Sequence, residues 1–205
     1  MRGKIDLCII CHDSTKNYAR DSMDLLRKSG FNFESHRKRG IPHSVFAEYL
    51  MTSSLCLNPE VHWITFHGGV DFGYILKALL STALPSDEGH FFDLMDAYFC
   101  NYYDLKEIKR DISHLALGGL SKLAKDLDVE RIGTVHQAAS DSFVTSQVFF
   151  KLKEIHRQWY GKNVKANEIE SRFRGKIYGL GQSICDDPYI EEYKHLTLEY
   201  STHTG

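Results

Sequence analysis

The run Arg131-Ile132-Gly133-Thr134-Val135-His136-Gln137-Ala138-Ala139-Ser140-Asp141 brings a glycine turn, a histidine and an aspartate into one short stretch. Ser140 is a good helix N-cap by type, and Asp141 falls in the first turn of a long helix expected from Asp141 to about Tyr160. A carboxylate in a first turn faces the positive end of the helix dipole, which favours its charged form. His136, just outside that turn, reaches the space in front of the carboxylate. A metal ligand beside a proton acceptor is the chemistry these types support. On this stretch alone the plainer reading leads: a capped surface helix preceded by a loop histidine.

A second carboxylate has a similar setting. Val61-His62-Trp63-Ile64-Thr65-Phe66 is the clearest strand, rich in β-branched and aromatic residues. His67-Gly68-Gly69-Val70-Asp71-Phe72-Gly73-Tyr74 follows it, and a helix is expected through Ile75–Leu80. Asp71 thus lies between the carboxyl end of a strand and the start of a helix, where ligand sites collect in α/β folds. A helix N-cap at Asp71 with glycines in a tight turn explains the same residues equally well.

The remaining elements must carry these two aspartates. Lys4–Cys11 reads as a short buried strand, Tyr18–Lys28 as a helix with Leu25 and Leu26 inward, and Arg37-Lys38-Arg39-Gly40 as a basic turn. Pro42 opens a helix to Met51 whose apolar face is Val45, Phe46, Tyr49 and Leu50. Phe91–Phe99 is amphipathic, Tyr102-Tyr103-Asp104-Leu105 is a strand candidate, and Gly118-Gly119 precedes a helix over 120–127. In the long helix, Phe143, Val144, Val148, Phe149, Leu152, Ile155 and Trp159 share one broad face. That face is core. Residues 176–181 form a weak turn or strand, and an acidic, tyrosine-rich tail follows from 182 to 205.

Composition sets the bounds. The 205 residues are 42% hydrophobic and 25% charged, which suits one globular domain, 1–205, without repeat or linker. A net charge of −2 excludes a broad basic surface, so any nucleic acid would bind at a local site. No apolar run is long enough to cross a bilayer, and no membrane partner is expected. Cys8-x-x-Cys11-His12 formally matches a haem-attachment pattern, but no export signal supports haem and no second cysteine pair supports zinc. Five scattered cysteines suit a reducing compartment, cytoplasmic or nuclear.

Oxygen ligands from Asp71 and Asp141 suit hard divalent ions. Two such ions can orient a water for phosphodiester cleavage, and a histidine such as His136 can take that water's proton. The order of motifs goes further. Phe66-His67-Gly68-Gly69-Val70-Asp71-Phe72-Gly73-Tyr74, Gly118-Gly119-Leu120, Glu130-Arg131-Ile132-Gly133 and His136-Gln137-Ala138-Ala139-Ser140-Asp141-Ser142 resemble the Pop/Caf-type deadenylases. These are catalytic subunits of the CCR–NOT complex within the DEDD exonuclease superfamily. The resemblance runs from about Tyr18 to about Gly181.

The resemblance implies an α/β fold, a ribonuclease H-like mixed sheet flanked by helices. It implies a poly(A)-specific 3′–5′ exoribonuclease that releases AMP with two divalent ions, Mg or Mn. Its implied partners are poly(A) RNA, the CCR–NOT scaffold and companion deadenylase subunits, in cytoplasm and nucleus. By position, Asp71 matches the acid of the second exonuclease motif, Asp141 the acid of the third, and His136 the histidine that activates water. Asp71 and Asp141 are the implied metal ligands. No RNA-contacting residue is assigned.

Three departures temper the expectation. The family's first motif, an Asp-x-Glu on the first strand, should precede everything seen here, and Asp6 and Asp13 are not in that pattern. Two of four metal-binding acids then lack a counterpart, and reduced ion occupancy and activity are expected. The sheet is expected to be incomplete, leaving the strand at Val61–Phe66 without one neighbour. Val70 replaces an aromatic residue, and Ala139 a glycine, which alters packing more than charge. The alternative is an inactive member acting as an interaction or RNA-binding subunit.

Overall fold

The computed structural model describes residues 9–10, 20–110, 112, 115, 118–160 and 168–181. In chain order the elements are β1 (Ile9–Ile10), α1 (Arg20–Lys28), α2 (Phe33–Arg39), β2 (Ile41–Pro42), α3 (His43–Thr52), β3 (His62–Thr65), α4 (Gly69–Leu80) and α5 (Glu88–Phe99). They continue with β4 (Asn101–Asp104), α6 (Leu105–Arg110), α7 (Leu120–Asp126), α8 (Ala138–Tyr160) and α9 (Glu168–Phe173). The cysteine-histidine motif at 8–12, most of the expected Lys4–Cys11 strand, the side chain of Trp159 and the tail at 182–205 lie outside the described residues.

The described strands pair in parallel, two and two. β1 lies on β2 with Ile9 opposite Ile41. β3 lies on β4 with His62 opposite Asn101 and Thr65 opposite Asp104. Successive strand residues point to opposite faces, and β4 uses both. Tyr102 enters a core with Leu50, Phe72, Leu76, Met95, Phe99 and Ile177, drawn largely from α3, α4 and α5. Tyr103 enters the other with Leu105, Ile108, Leu123, Val144, Val148 and Leu152, drawn from α6, α7 and α8. Trp63 packs toward the first core and Ile64 toward the second. The β3–β4 pair is therefore the middle of three layers.

Several expectations shift at element ends. Arg37, Lys38 and Arg39 close α2 rather than forming a turn. Asn32 starts that helix by accepting the Ser35 N–H at 2.9 Å, and Lys38 pairs with Glu34 at 2.8 Å. Leu25 and Tyr49, expected inward, are exposed, because α1 and α3 bury narrower stripes than their apolar content allows. Phe143 is likewise exposed on α8, while Val144, Val148, Phe149 and Leu152 are buried as the period requires. Among the described residues no helix is long and apolar enough to cross a membrane.

The two-sided core makes a direct prediction. Leu152 is 0% exposed and Phe143 is 45% exposed. Leu152→Ala should lower the unfolding free energy by about 2–5 kcal/mol. Phe143→Ala should change it by less than about 1 kcal/mol. Urea unfolding followed by circular dichroism measures both, and equal effects would sink the assignment of the core face.

Candidate functional site

β3 and β4 end side by side, and the chain leaves β3 through His67 and Gly68 into α4. Asp104, the last residue of β4, is fully buried at this point. Its Oδ1 accepts the N–H groups of His67 at 2.6 Å and Lys106 at 2.9 Å. Its Oδ2 accepts those of Gly68 at 3.1 Å and Tyr178 at 3.2 Å. One carboxylate thus ties the β3–α4 turn, the start of α6 and the 177–180 turn together. Burial raises its pKa toward the neutral form, and the four N–H donors pull it back down. Gly68 is required here: a Cβ would overlap the Thr65 side chain, whose hydroxyl donates to the Tyr103 carbonyl.

α4 begins at Gly69, six residues before the expected start. The reason is that Asp104 already satisfies N–H groups at its entry, so glycine can open the helix without a side-chain cap. Asp71 is therefore in the first turn of α4 and is neither N-cap nor linker. The residue is exposed, but neighbouring protein crowds its carboxyl enough for desolvation to raise it above the ordinary value. The Asp71 backbone N–H and the nearby His67 ring oppose that rise, and the Asp104 charge adds to it.

His67 sits in the left-handed region at φ +60°. Its ring stands edge-on to Tyr178 at 5.4 Å, and Nδ1 is 3.5 Å from the Lys106 Nζ. Lys106 also lies 4.1 Å over the Tyr178 ring. Desolvation first, then the Lys106 charge, lowers the His67 basicity, while Asp71 partly restores it.

The other aspartate belongs to a second cluster. α8 begins at Ala138, with the Asp141 N–H donating to the Gln137 carbonyl at 2.9 Å. Ser140 is therefore inside the helix and buried, not its N-cap. Arg131 folds back across Gly133, which needs its φ of +95°. Its Nη1 donates to Asp141 Oδ1 at 2.5 Å and to Ser140 Oγ at 3.1 Å, and Nη2 donates to Ser121 Oγ at 3.4 Å. His136 is exposed with φ +65°, and Gln137 donates to the Ser29 carbonyl at 3.3 Å.

Both aspartates thus occupy first turns of helices packed on the β3–β4 pair, each a few residues after a left-handed histidine. They do not form one compact centre with His136. Among the described residues no three His, Cys, Asp or Glu side chains come together as a metal-holding group. Asp104 is no substitute, since both its oxygens are taken by backbone N–H groups. The residues present do not by themselves fit a two-ion centre.

No family model matches the chain. It is 46% identical over 164 residues to Probable CCR4-associated factor 1 homolog 7 of Arabidopsis thaliana, covering 80% of this chain and 56% of that protein. It is 40% identical over 166 residues to Poly(A) ribonuclease pop2 of Schizosaccharomyces pombe, covering 81% of this chain and 47% of that protein. The chain belongs to the Pop2/CAF1 family. The solved structure of S. pombe Pop2p in its Mg²⁺- and Mn²⁺-bound form superposes with a TM-score of 0.71 at 40% identity, over 81% of this chain and 62% of that one. The ribonuclease H-like architecture is therefore shared. Divalent metals occur in the family. The chain spans about half the length of the curated relatives it matches.

Sequence reading missed Asp104 and His67 as parts of the site. Asp104 had one usable mark, an aspartate closing an apolar strand whose register puts it beside Thr65. Asp104→Ala removes the acceptor of four N–H groups and should cost about 3 kcal/mol or more in urea unfolding. Unchanged stability would remove Asp104 from its organising role.

His67 gives a pH test. Its folded value lies below the ordinary 6.5, so the unfolded chain binds the proton more tightly. Its contribution to stability is complete above 6.5 and is lost as pH falls through the window down to the folded value. Histidine NMR should find the His67 titration below 6.5, and Lys106→Gln should move it upward. A downward move would contradict the contact.

Proposed function

We propose that this chain carries part of the site of a poly(A)-directed 3′–5′ exoribonuclease. Asp71 and Asp141 are its acidic residues on α4 and α8, and His136 accepts the proton of the attacking water. The observation carrying this reading is the placement of both aspartates in first turns of helices seated on one parallel strand pair. The exposed turn at His136 leaves its ring open to solvent. Such a backbone outlier beside an acid is common at sites of chemistry. The substrate is poly(A) RNA, and the partners are a CCR4-type companion and the CCR–NOT scaffold.

Divalent ions, Mg²⁺ or Mn²⁺, would supply charge stabilisation when bound. Asp71 and Asp141 are the side chains available to them, and further acidic ligands are needed for a complete centre. With Asp71 and Asp141 alone assigned to the ions, shortening of oligo(A) by these 205 residues is expected to be slow.

The test compares this polypeptide with a version extended upstream by an Asp-x-Glu-bearing strand, using oligo(A) and Mg²⁺. Shortening should appear in the extended protein. It should fall at least about a hundredfold in His136→Gln, and Asp71→Asn and Asp141→Asn should abolish it. Cleavage indifferent to all three substitutions would sink the proposal. Efficient cleavage by the shorter chain that disappears in Asp141→Ala would show that further acidic ligands are not needed.

A further inference from the structure

The basic run Arg37-Lys38-Arg39 takes no part in the proposed reaction, but its helix is joined to the loop that carries His136. Residues 29–32 connect α1 to α2. Gln137 Nε2 donates to the Ser29 carbonyl at 3.3 Å, and a Cβ on Gly30 would lie 3.9 Å from the same nitrogen. The residue after His136 therefore rests on this connection. Positive charge gathers on either side of it. Residues 24–39 hold Arg27, Lys28, Arg37, Lys38 and Arg39 against Asp24 and Glu34, a balance of +3 in a chain of net −2. The rest of the chain is thus at −5. All five cations are exposed. Arg27 pairs with Asp24 and Lys38 with Glu34, each at 2.8 Å. Every one of these side chains is at least 60% exposed, and such pairs give way readily to another anion. Packing makes the two helices one surface: the Arg27 guanidinium lies 5.4 Å from the Phe33 ring centre, and Phe31 and Phe33 stand 4.7 Å apart. Asn32, Glu34, Ser35, Lys38 and Arg39 line an open cavity of about 350 Å³ on α2.

We propose that the exposed cations of α1 and α2 form a track for single-stranded RNA, holding the nucleotides upstream of the 3′ end presented to His136. The inference rests on the 3′–5′ exoribonuclease reading, and it adds where the uncut body of the strand lies. An enzyme that takes in one end of a strand leaves the remainder on its surface. Phosphates are held there by positive side chains without base readout. The −5 remainder of this chain repels a phosphate backbone, whereas residues 24–39 attract it. The Gln137–Ser29 contact makes that attractive face continuous with the His136 loop. As the strand arrives, Lys38 exchanges Glu34 for a phosphate, and the cavity on α2 gives the strand a concave seat.

The test is binding of 5′-labelled oligo(A), about twelve nucleotides long, by fluorescence anisotropy on the full chain. Divalent ions are left out so that no strand is cut. Replacing Arg37, Lys38 and Arg39 together by Gln should weaken binding about tenfold or more. It should also reduce the slope of log affinity against log salt by about 2, since each lost phosphate contact removes about 0.7. Arg37→Lys with Arg39→Lys keeps the charges and should keep affinity and slope. If the triple variant does not fold by circular dichroism, Arg37→Gln alone carries the test, with a slope change of about 0.7. Unchanged affinity and slope overturn the track and leave the proposed function standing. Poly-glutamate bound more tightly than oligo(A) through the same cations overturns it in favour of an acidic protein partner. No binding of oligo(A) by the unmodified chain at low salt overturns the track and the poly(A) reading together.

Discussion

A single buried carboxylate fixes the part of the molecule where β3, β4, α4 and α6 meet. Asp104 gathers N–H groups from three segments that are distant in sequence, at residues 67–68, 106 and 178. Removing a carboxylate from water is costly, and only a full set of donors offsets it. The turn at His67-Gly68 is consequently not free to choose its shape. Its N–H groups must face inward, so the histidine side chain faces outward and α4 starts at once. Asp71 is delivered to the rim by this constraint, and among the described residues no lysine or arginine forms an ion pair with it.

Asp104 and Asp141 show how environment divides one residue type. Both lie at the meeting of elements, and both are held by hydrogen-bond donors. Asp104 is held by neutral backbone groups that cannot leave without unfolding the turn. Asp141 is held by a long side chain that can rotate away. An oxygen saturated by backbone has no capacity left for a ligand, whereas one held by an arginine does. The two aspartates therefore differ in availability more than in charge.

The same distinction explains what was legible in the sequence. Asp71, His136 and Asp141 stand in motifs with ordered spacing, and β3, α4, α7 and α8 follow from clear patterns. Alternation also marks Tyr102 and Tyr103 as two-faced, although only packing shows that each enters a different core. Asp104 lies between Tyr103 and Leu105 with no motif around it, because its partners are backbone groups and carry no residue type. Arg131 stands inside a matching motif, yet its contact with Asp141 depends on how Gly133 folds the loop. The α2 start at Asn32 was readable as a cap but was hidden by the basic run after it.

The two histidines reveal a difference in stiffness between the halves of the site. A left-handed backbone costs a side-chain-bearing residue about 1–2 kcal/mol, so each must be held by its surroundings. His67 is held by its N–H bond to the buried Asp104 and by Tyr178. His136 rests on an exposed loop tied by the Gln137 contact to Ser29 and by the Arg131 pair. The first set lies under two helices and a strand end, while the second can exchange partners one at a time. Adjustment to a ligand therefore falls on residues 131–137, with the β3–α4 turn as the fixed reference against which it occurs.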